Sequence, residues 1–224
     1  MLGRAAIAMW WDVPPEVRTE WEDWHSHEHM PERLAIPGFL RGTRWVADSG
    51  EPSYFVLYET RNRKTMTSGA YLDRLNNPTP WSRQMMPHHR NMVRSLCRVR
   101  ASFGGGLAQA LATIRFSPSP RSRGSAVKWL SAEVLPSLPQ RKGLTGAYLL
   151  ESLATDVPRT EEHEIRGMDA RADCVLLICG YEVAAVKAVV AGELGKLEAH
   201  GALPGRIDGF YRCAYSLTSR DLPG

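Results

Sequence analysis

Three histidines stand within five residues of this 224-residue chain: His25, His27 and His29, in the string Trp24-His25-Ser26-His27-Glu28-His29-Met30-Pro31. Two more, His88 and His89, follow Pro87. Imidazole has an ordinary pKa of about 6.5, so it takes up or releases a proton near neutrality, and a neighbouring imidazole or carboxylate moves that value readily. Neutral imidazole is also a ligand for zinc and iron. The cluster therefore points to proton transfer or to metal binding.

One hundred and five residues later the string recurs without its histidines, as Trp129-Leu130-Ser131-Ala132-Glu133-Val134-Leu135-Pro136. Tryptophan, serine, glutamate and proline recur in register, which marks them as scaffold. The three histidines are where one copy departs from the template. On a helix of 3.6 residues per turn His25 and His29 share a face, while His27 points roughly 160 degrees away from His29. One regular helix cannot offer all three to a single metal. The counterparts of His25 and His29 are Leu130 and Val134, members of the apolar stripe Ala126, Leu130, Val134, so His25 and His29 are expected to face the sheet and His27 to face solvent. Glu28 recurs as Glu133 and reads as a shared structural carboxylate tying the helix to a strand. Two imidazoles on an inner face cost stability unless each finds a partner, and a polar cavity is a simpler account of them than a pair of satisfied core histidines.

A second inward set is expected further on, where Trp81, Met85, His88 and Met92 recur at spacings of four, three and four along an extended helix. For the tryptophan and the methionines an amphipathic core stripe suffices. One of the His88, His89 pair is expected to reach the cavity of His29. Trp10, Arg44, Tyr54 and Tyr58 lie on strands of the same half and are candidates for its walls. The candidate catalytic residues are therefore His29, His25, His88 and His89, and the candidate substrate-binding residues are Trp10, Arg44, Tyr54, Tyr58 and Trp81. No metal-ligand set is assigned.

The elements that must position these groups also come in two copies. Strand-like runs cover Ala5 to Asp12 and Ala110 to Ser117, each followed by a proline-marked turn and a helix that Pro31 or Pro136 is expected to end. Glycine-bounded turns open second strands at Gly38 to Val46 and Gly143 to Leu150. Third strands run Tyr54 to Glu59 and Cys174 to Glu182, and fourth strands lie near Ser95 to Phe103 and Phe210 to Leu217, after a second helical stretch. The order β-α-β-β-α-β occurs twice. It predicts an α+β protein of two tandem ferredoxin-like repeats packed sheet to sheet, residues 1-104 carrying the histidine site and residues 105-224 largely structural, joined by the flexible Gly104-Gly105-Gly106 linker. In the first half Asn77-Pro78 breaks one helix and Thr79-Pro80 starts another. The second half inserts a polar segment, 154-172, expected as an exposed loop or flap.

His-Met-Pro followed by a Pro-Gly-Phe turn resembles the dimeric α+β barrel superfamily, and within it the EthD-like branch. The resemblance covers most of both halves and implies an intrachain version of a barrel that other members build from two subunits. It implies a superfamily of cofactor-free cyclases, muconolactone-type isomerases, small monooxygenases and haem enzymes, and also of proteins without a known activity. It also singles out His29, at the His-x-Pro position.

Composition bounds the rest. With 43% hydrophobic and 23% charged residues the chain is globular, and its formal charge of +4 is spread along the sequence. The first half has a basic bias, from Arg41, Arg44, Arg61, Arg63, Lys64, Arg90, Arg94, Arg98 and Arg100, that suits an anionic small substrate better than nucleic acid. Cys97, Cys174, Cys179 and Cys213 are far apart in apolar stretches and are expected to be reduced and buried. The apolar start is too short for a signal peptide and no window approaches a membrane span, so a cytoplasmic protein, monomeric or homodimeric and without membrane partners, is the expectation. There is no Gly-x-Gly-x-x-Gly after the first strand, no phosphate loop, no Gly-x-Ser-x-Gly and no His-Glu-x-x-His.

The leading expectation is an enzyme without an organic cofactor that uses His29, assisted by His25 or a histidine of the 88-89 pair, as general acid/base on a small aromatic or lactone-like acid, with Arg44 holding its carboxylate. Isomerisation, elimination, cyclisation and hydrolysis all need one such proton transfer. A metal- or haem-binding oxidoreductase of the same barrel type, using the His25, His29 pair, is the alternative, and a non-catalytic ligand-binding accessory protein is the third reading.

Overall fold

The computed structural model describes residues 1-154, 158-167 and 169-222. Eight strands close into one antiparallel barrel: β1 (Ala5–Asp12), β2 (Phe39–Ala47), β3 (Tyr54–Thr60), β4 (Arg90–Gly104), β5 (Ala110–Phe116), β6 (Leu144–Ser152), β7 (Cys174–Gly180) and β8 (Ile207–Thr218). Each half contributes one four-stranded sheet, β4-β1-β3-β2 and β8-β5-β7-β6. The two sheets join edge to edge, β2 to β8 from Arg41↔Thr218 to Ala47↔Tyr211 and β4 to β6 from Cys97↔Ser152 to Gly104↔Gly146. Among the described residues closure leaves no free sheet edge. This is the α+β architecture that the doubled β-α-β-β-α-β order predicts.

Period-two alternation gives the barrel a filled interior and two outer faces. On β1, Ala6, Ala8 and Trp10 point inward to Trp45, Phe55, Leu57, Leu150, Leu177 and Tyr211. Ile7, Met9 and Trp11 point outward, under the helices of the first half. The second half has its own outer core, around Leu130, Leu138, Leu149 and Val190. Neither of the expected helix ends at Pro31 and Pro136 holds. After α1 (Arg18–Trp24) the chain makes one π-helical turn, His25–His29, and continues as α2 (Met30–Leu34). Pro31 therefore sits in the first turn of the continuing helix, where a missing N–H is tolerated. The second copy behaves alike: α5 (Arg123–Trp129), a π-turn at Leu130–Val134, then a 3-10 stretch Leu135–Gln140 that contains Pro136. Gly42 on β2 lets α2 come close, since a Cβ there would meet the Tyr58 ring at 2.8 Å and Met30 Cγ at 2.9 Å.

The second helical region of the first half divides as expected, into α3 (Gly69–Asn76) and α4 (Pro80–Met85), with the Thr79 hydroxyl accepting from Ser82 N at 3.0 Å. The stripe does not run on one helix: α4 ends at Met85, Met86–His88 is a 3-10 turn, and Met92 lies on β4. Met85 and Met92 are buried, whereas Trp81 and His88 are only partly so. The Gly104-Gly105-Gly106 linker is partly strand, because Gly104 ends β4 paired with Gly146. The four cysteines are unpaired; Cys97 and Cys174 are buried and Cys179 and Cys213 partly exposed. The 154-172 insertion, of which residues 155-157 and 168 lie outside the described residues, is not simply a loop. It forms α6 (Glu161–Arg166), which packs on α3 and the Met86–His88 turn of the first half. The last helix, α7 (Val183–Ala191), covers the second half. Among the described residues no helix is long and apolar enough to cross a membrane.

Candidate active site

The π-turn His25–His29 turns His25 and His29 onto the sheet, with ring centroids 5.6 Å apart, and leaves His27 exposed beside Asp23. His89, just before β4, joins them across the indole of Trp24: the Trp24 centroid is 6.1 Å from His25, 4.5 Å from His29 and 6.0 Å from His89. Trp21 stacks on His25 at 4.9 Å and Trp11 lies 4.8 Å from His89. Trp21 Nε1 donates to His89 Nε2 at 2.8 Å, so the neutral His89 ring carries its proton on Nδ1. His88 stands outside this group.

These imidazoles are short of partners. Both ring nitrogens of His25, Nδ1 of His29 and Nδ1 of His89 are buried with no hydrogen-bond partner among the described residues. Burial pushes all three pKa values well below the ordinary histidine range, helped by the cations of Arg44 at His25, Arg33 at His29 and Arg166 at His89. At neutral pH they are neutral bases, or in the case of His89 Nδ1 a free donor.

Around them stand groups from both halves. Arg33, one helical turn past His29, is buried and ion-paired with Glu162 of α6 through Nη2, while its Nη1 has no partner among the described residues. Burial opposes the Arg33 charge most strongly of any one cause, but Glu162 together with Tyr71 and Tyr58 offsets it and the pKa is raised. Arg44 is buried, donates to the Glu22 carbonyl at 3.2 Å and lies 5.7 Å from the Trp21 ring. Tyr54 donates to Glu22 Oε1 at 2.7 Å, and the Tyr58 hydroxyl is buried without a partner among the described residues. Trp10 is placed otherwise than expected: strand alternation turns it into the barrel interior, where its Nε1 donates to Thr113 at 3.2 Å, and its neighbour Trp11 meets the histidines instead. Trp81 packs at the margin of the first-half core. Glu28 ties the helix to another helix rather than to a strand, accepting from Trp24 Nε1, Thr79 and Ser82, whereas Glu133 is exposed.

Arg33, Glu162 and the three indoles of Trp11, Trp21 and Trp24 escaped the sequence reading. Arg33 had a signal: carrying the repeat past Pro31 pairs it with buried Leu138, a third polar-for-apolar exchange on the same face. A helix expected to stop at Pro31 hid it. A separate cavity of about 330 Å³ lies beneath the 3-10 turn Arg63–Thr67, lined by Arg63, Lys64, Met66, Leu96 and Leu153. It holds no group that titrates near neutrality, so the orphaned imidazoles are the stronger candidate.

No family model and no curated protein matches the sequence. Solved structures match in fold. An anthrone oxidase-like protein superposes with a TM-score of 0.67 over 97% of this chain and 94% of its own, at 12% identity. A monooxygenase candidate from Lactobacillus acidophilus NCFM gives 0.62 over 96% of each chain at 8% identity. A chlorite dismutase candidate gives 0.55 over 94% of each at 12%. Such identities show the fold alone, a dimeric α+β barrel with its eight strands in one chain.

A metal ion held by protein ligands alone, one of the options this barrel type implies, does not fit the residues present. Among the described residues no three His, Cys, Asp or Glu side chains are placed to hold a metal ion.

Proposed function

We propose that the first half houses a proton-transfer site for a small, planar aromatic or lactone-like acid, and that the protein is an enzyme working without an organic cofactor. The observation that carries this reading is His25, whose two ring nitrogens are both buried and unpartnered among the described residues. An orphaned imidazole costs stability, on the order of 1–3 kcal/mol for each lost hydrogen bond, and gains a partner when substrate arrives.

His25 and His29 act as the bases. Trp21 and Trp24 hold their ring planes and offer flat apolar walls to a flat substrate. In the free protein burial keeps both imidazoles neutral, so they are ready to accept a proton well below pH 6.5. An anion bound beside them stabilises the imidazolium that forms and returns basicity to the ring. His89, with its proton fixed on Nδ1, donates to the oxygen on which negative charge develops. The cover on this side is α6, and entry by this route requires it to move off Arg33 and the Met86–His88 turn. The EthD-like motif supports the same placement, because its histidine is His29. The oxidase-like and monooxygenase names of the structural neighbours fit chemistry that begins by deprotonating an enolisable aromatic.

The test is exchange of the acidic C–H protons of anthrone and of small aromatic lactones in D2O, followed by mass spectrometry. Wild-type protein should accelerate exchange, and H25L/H29V, which installs the residues of the second copy, should not. Equal exchange by the two proteins rejects the histidine site. Binding without any exchange favours the accessory-protein reading.

A further inference from the structure

Beside the imidazoles lies a layer of buried charge that proton transfer itself does not use. Arg33 on α2 pairs with Glu162 on α6; Arg166, one turn further along α6, donates to Asp169 at 3.3 Å; and the half-buried Arg94 on β4 donates to the Tyr71 hydroxyl at 2.7 Å. The side chains of Arg33, Glu162, Arg166 and Asp169 are 4, 2, 8 and 7% exposed. Three guanidinium groups therefore share two carboxylates, and Tyr71 adds no charge. At the rim Glu32 is matched by Arg74 and Arg44 faces Glu22, so these pairs leave the count as it is. A surplus positive charge away from water is costly unless an anion joins it. Donors for that anion are present: Arg33 Nη1, Arg166 Nε and the Tyr58 hydroxyl are all buried and without partners among the described residues.

We propose that Arg33 and Tyr58 form the seat of a single carboxylate, that the substrate class is accordingly an aromatic monocarboxylate, and that Glu162 of the other half sets the charge the seat accepts at one. This rests on the reading that substrate binds beside His25 and His29. It replaces Arg44 as the carboxylate's partner, since Arg44 faces Glu22 and already lies against the Trp21 and Tyr215 rings.

Titration calorimetry on the full chain reads this without turnover, using benzoate and 1-naphthoate, their neutral amides, and 1,8-naphthalenedicarboxylate. Wild-type protein should prefer an acid to its amide by about tenfold or more, the worth of one charge-assisted hydrogen bond. R33Q should abolish that preference, and Y58F should reduce it. Because R33Q strands Glu162, the double variant R33Q/E162Q keeps the test open: it restores a surplus of one without the Arg33 donors and should still lack the preference, whereas a regained preference would overturn the Arg33 seat. E162Q alone raises the surplus to two and should shift binding toward the dicarboxylate. No preference for either acid in the wild type, or an unchanged monoacid-to-diacid ratio in E162Q, overturns the proposal. Selective binding without proton exchange would reject the histidine chemistry and keep the seat; exchange without selectivity would do the reverse.

Discussion

The two halves lay the same helix, π-turn included, across the same side of equivalent sheets and fill the interface with opposite chemistry. His25, His29, Arg33 and Arg44 stand 105 residues before Leu130, Val134, Leu138 and Leu149, and all eight are buried. In the second half these positions form a continuous apolar core whose burial stabilises at roughly 25 cal/mol per Å². In the first they leave nitrogens and a guanidinium arm unpartnered among the described residues. One scaffold thus tolerates either filling, and the polar filling gives up stability that the apolar one keeps. The deficit has no packing rationale, and the proposed site is where a ligand would restore it.

Exchanging the fillings tests this most severely. H25L/H29V should slow proton exchange about 10²- to 10⁴-fold, the usual worth of a positioned base, while melting at the same temperature or higher because orphaned groups are removed. A fall in stability matching the fall in exchange would show the histidines to be structural. In the other direction, L130H/V134H places two imidazoles in the apolar half with nothing to satisfy them and should cost about 3–5 kcal/mol in denaturant unfolding. A loss no larger than about 1 kcal/mol would mean that the second half accepts polar groups as readily as the first, and the contrast would lose its meaning.

Acid should separate the halves next. His25, His29 and His89 have folded-state pKa values pushed below the ordinary range, so no penalty exists above about pH 6.5, where folded and unfolded forms are both neutral. As pH falls through 6.5 the unfolded chain takes up protons that the folded chain refuses. Stability should then drop by up to about 1.4 kcal/mol per pH unit for each histidine, and the slope between pH 6.5 and 5 should be shallower in H25L/H29V. An identical slope would place the proton uptake elsewhere. The smallest effect concerns the approach of α2 to the sheet. G42A forces the added methyl against Tyr58 and Met30 and should cost about 1–3 kcal/mol, whereas A147G at the corresponding place should cost about 1 kcal/mol or less.

Much of the barrel was legible beforehand because strand alternation and turn residues are local. All eight strands fall within a few residues of their expected places, and the histidine pair faces inward as the apolar stripe of the second copy indicates. Trp10 and Trp11 show the limit: adjacent residues on a strand face opposite ways, and only the paired sheet tells which way is the barrel interior. The helix ends misled for a related reason, since a π-turn shifts the hydrogen-bond register and lets Pro31 continue the helix it was expected to stop. Glu162 was unreadable as a site residue. It lies 129 positions from Arg33 in a segment whose composition is that of a surface loop.

By itself, then, the sequence determined the repeat, the strand order and the inward pair His25 and His29, because these follow from periodicity and from comparing one half of the chain with the other. Only the tertiary structure decided what the pair would meet. Barrel closure brings β4 to β6 and sets α6 of the second half over the helices of the first, and that contact puts Glu162 on Arg33 and brings the Arg166 charge to bear on His29 and His89. Charges so far apart in the chain interact only once the sheet has closed, and their balance in a site shielded from water is a property of the whole barrel.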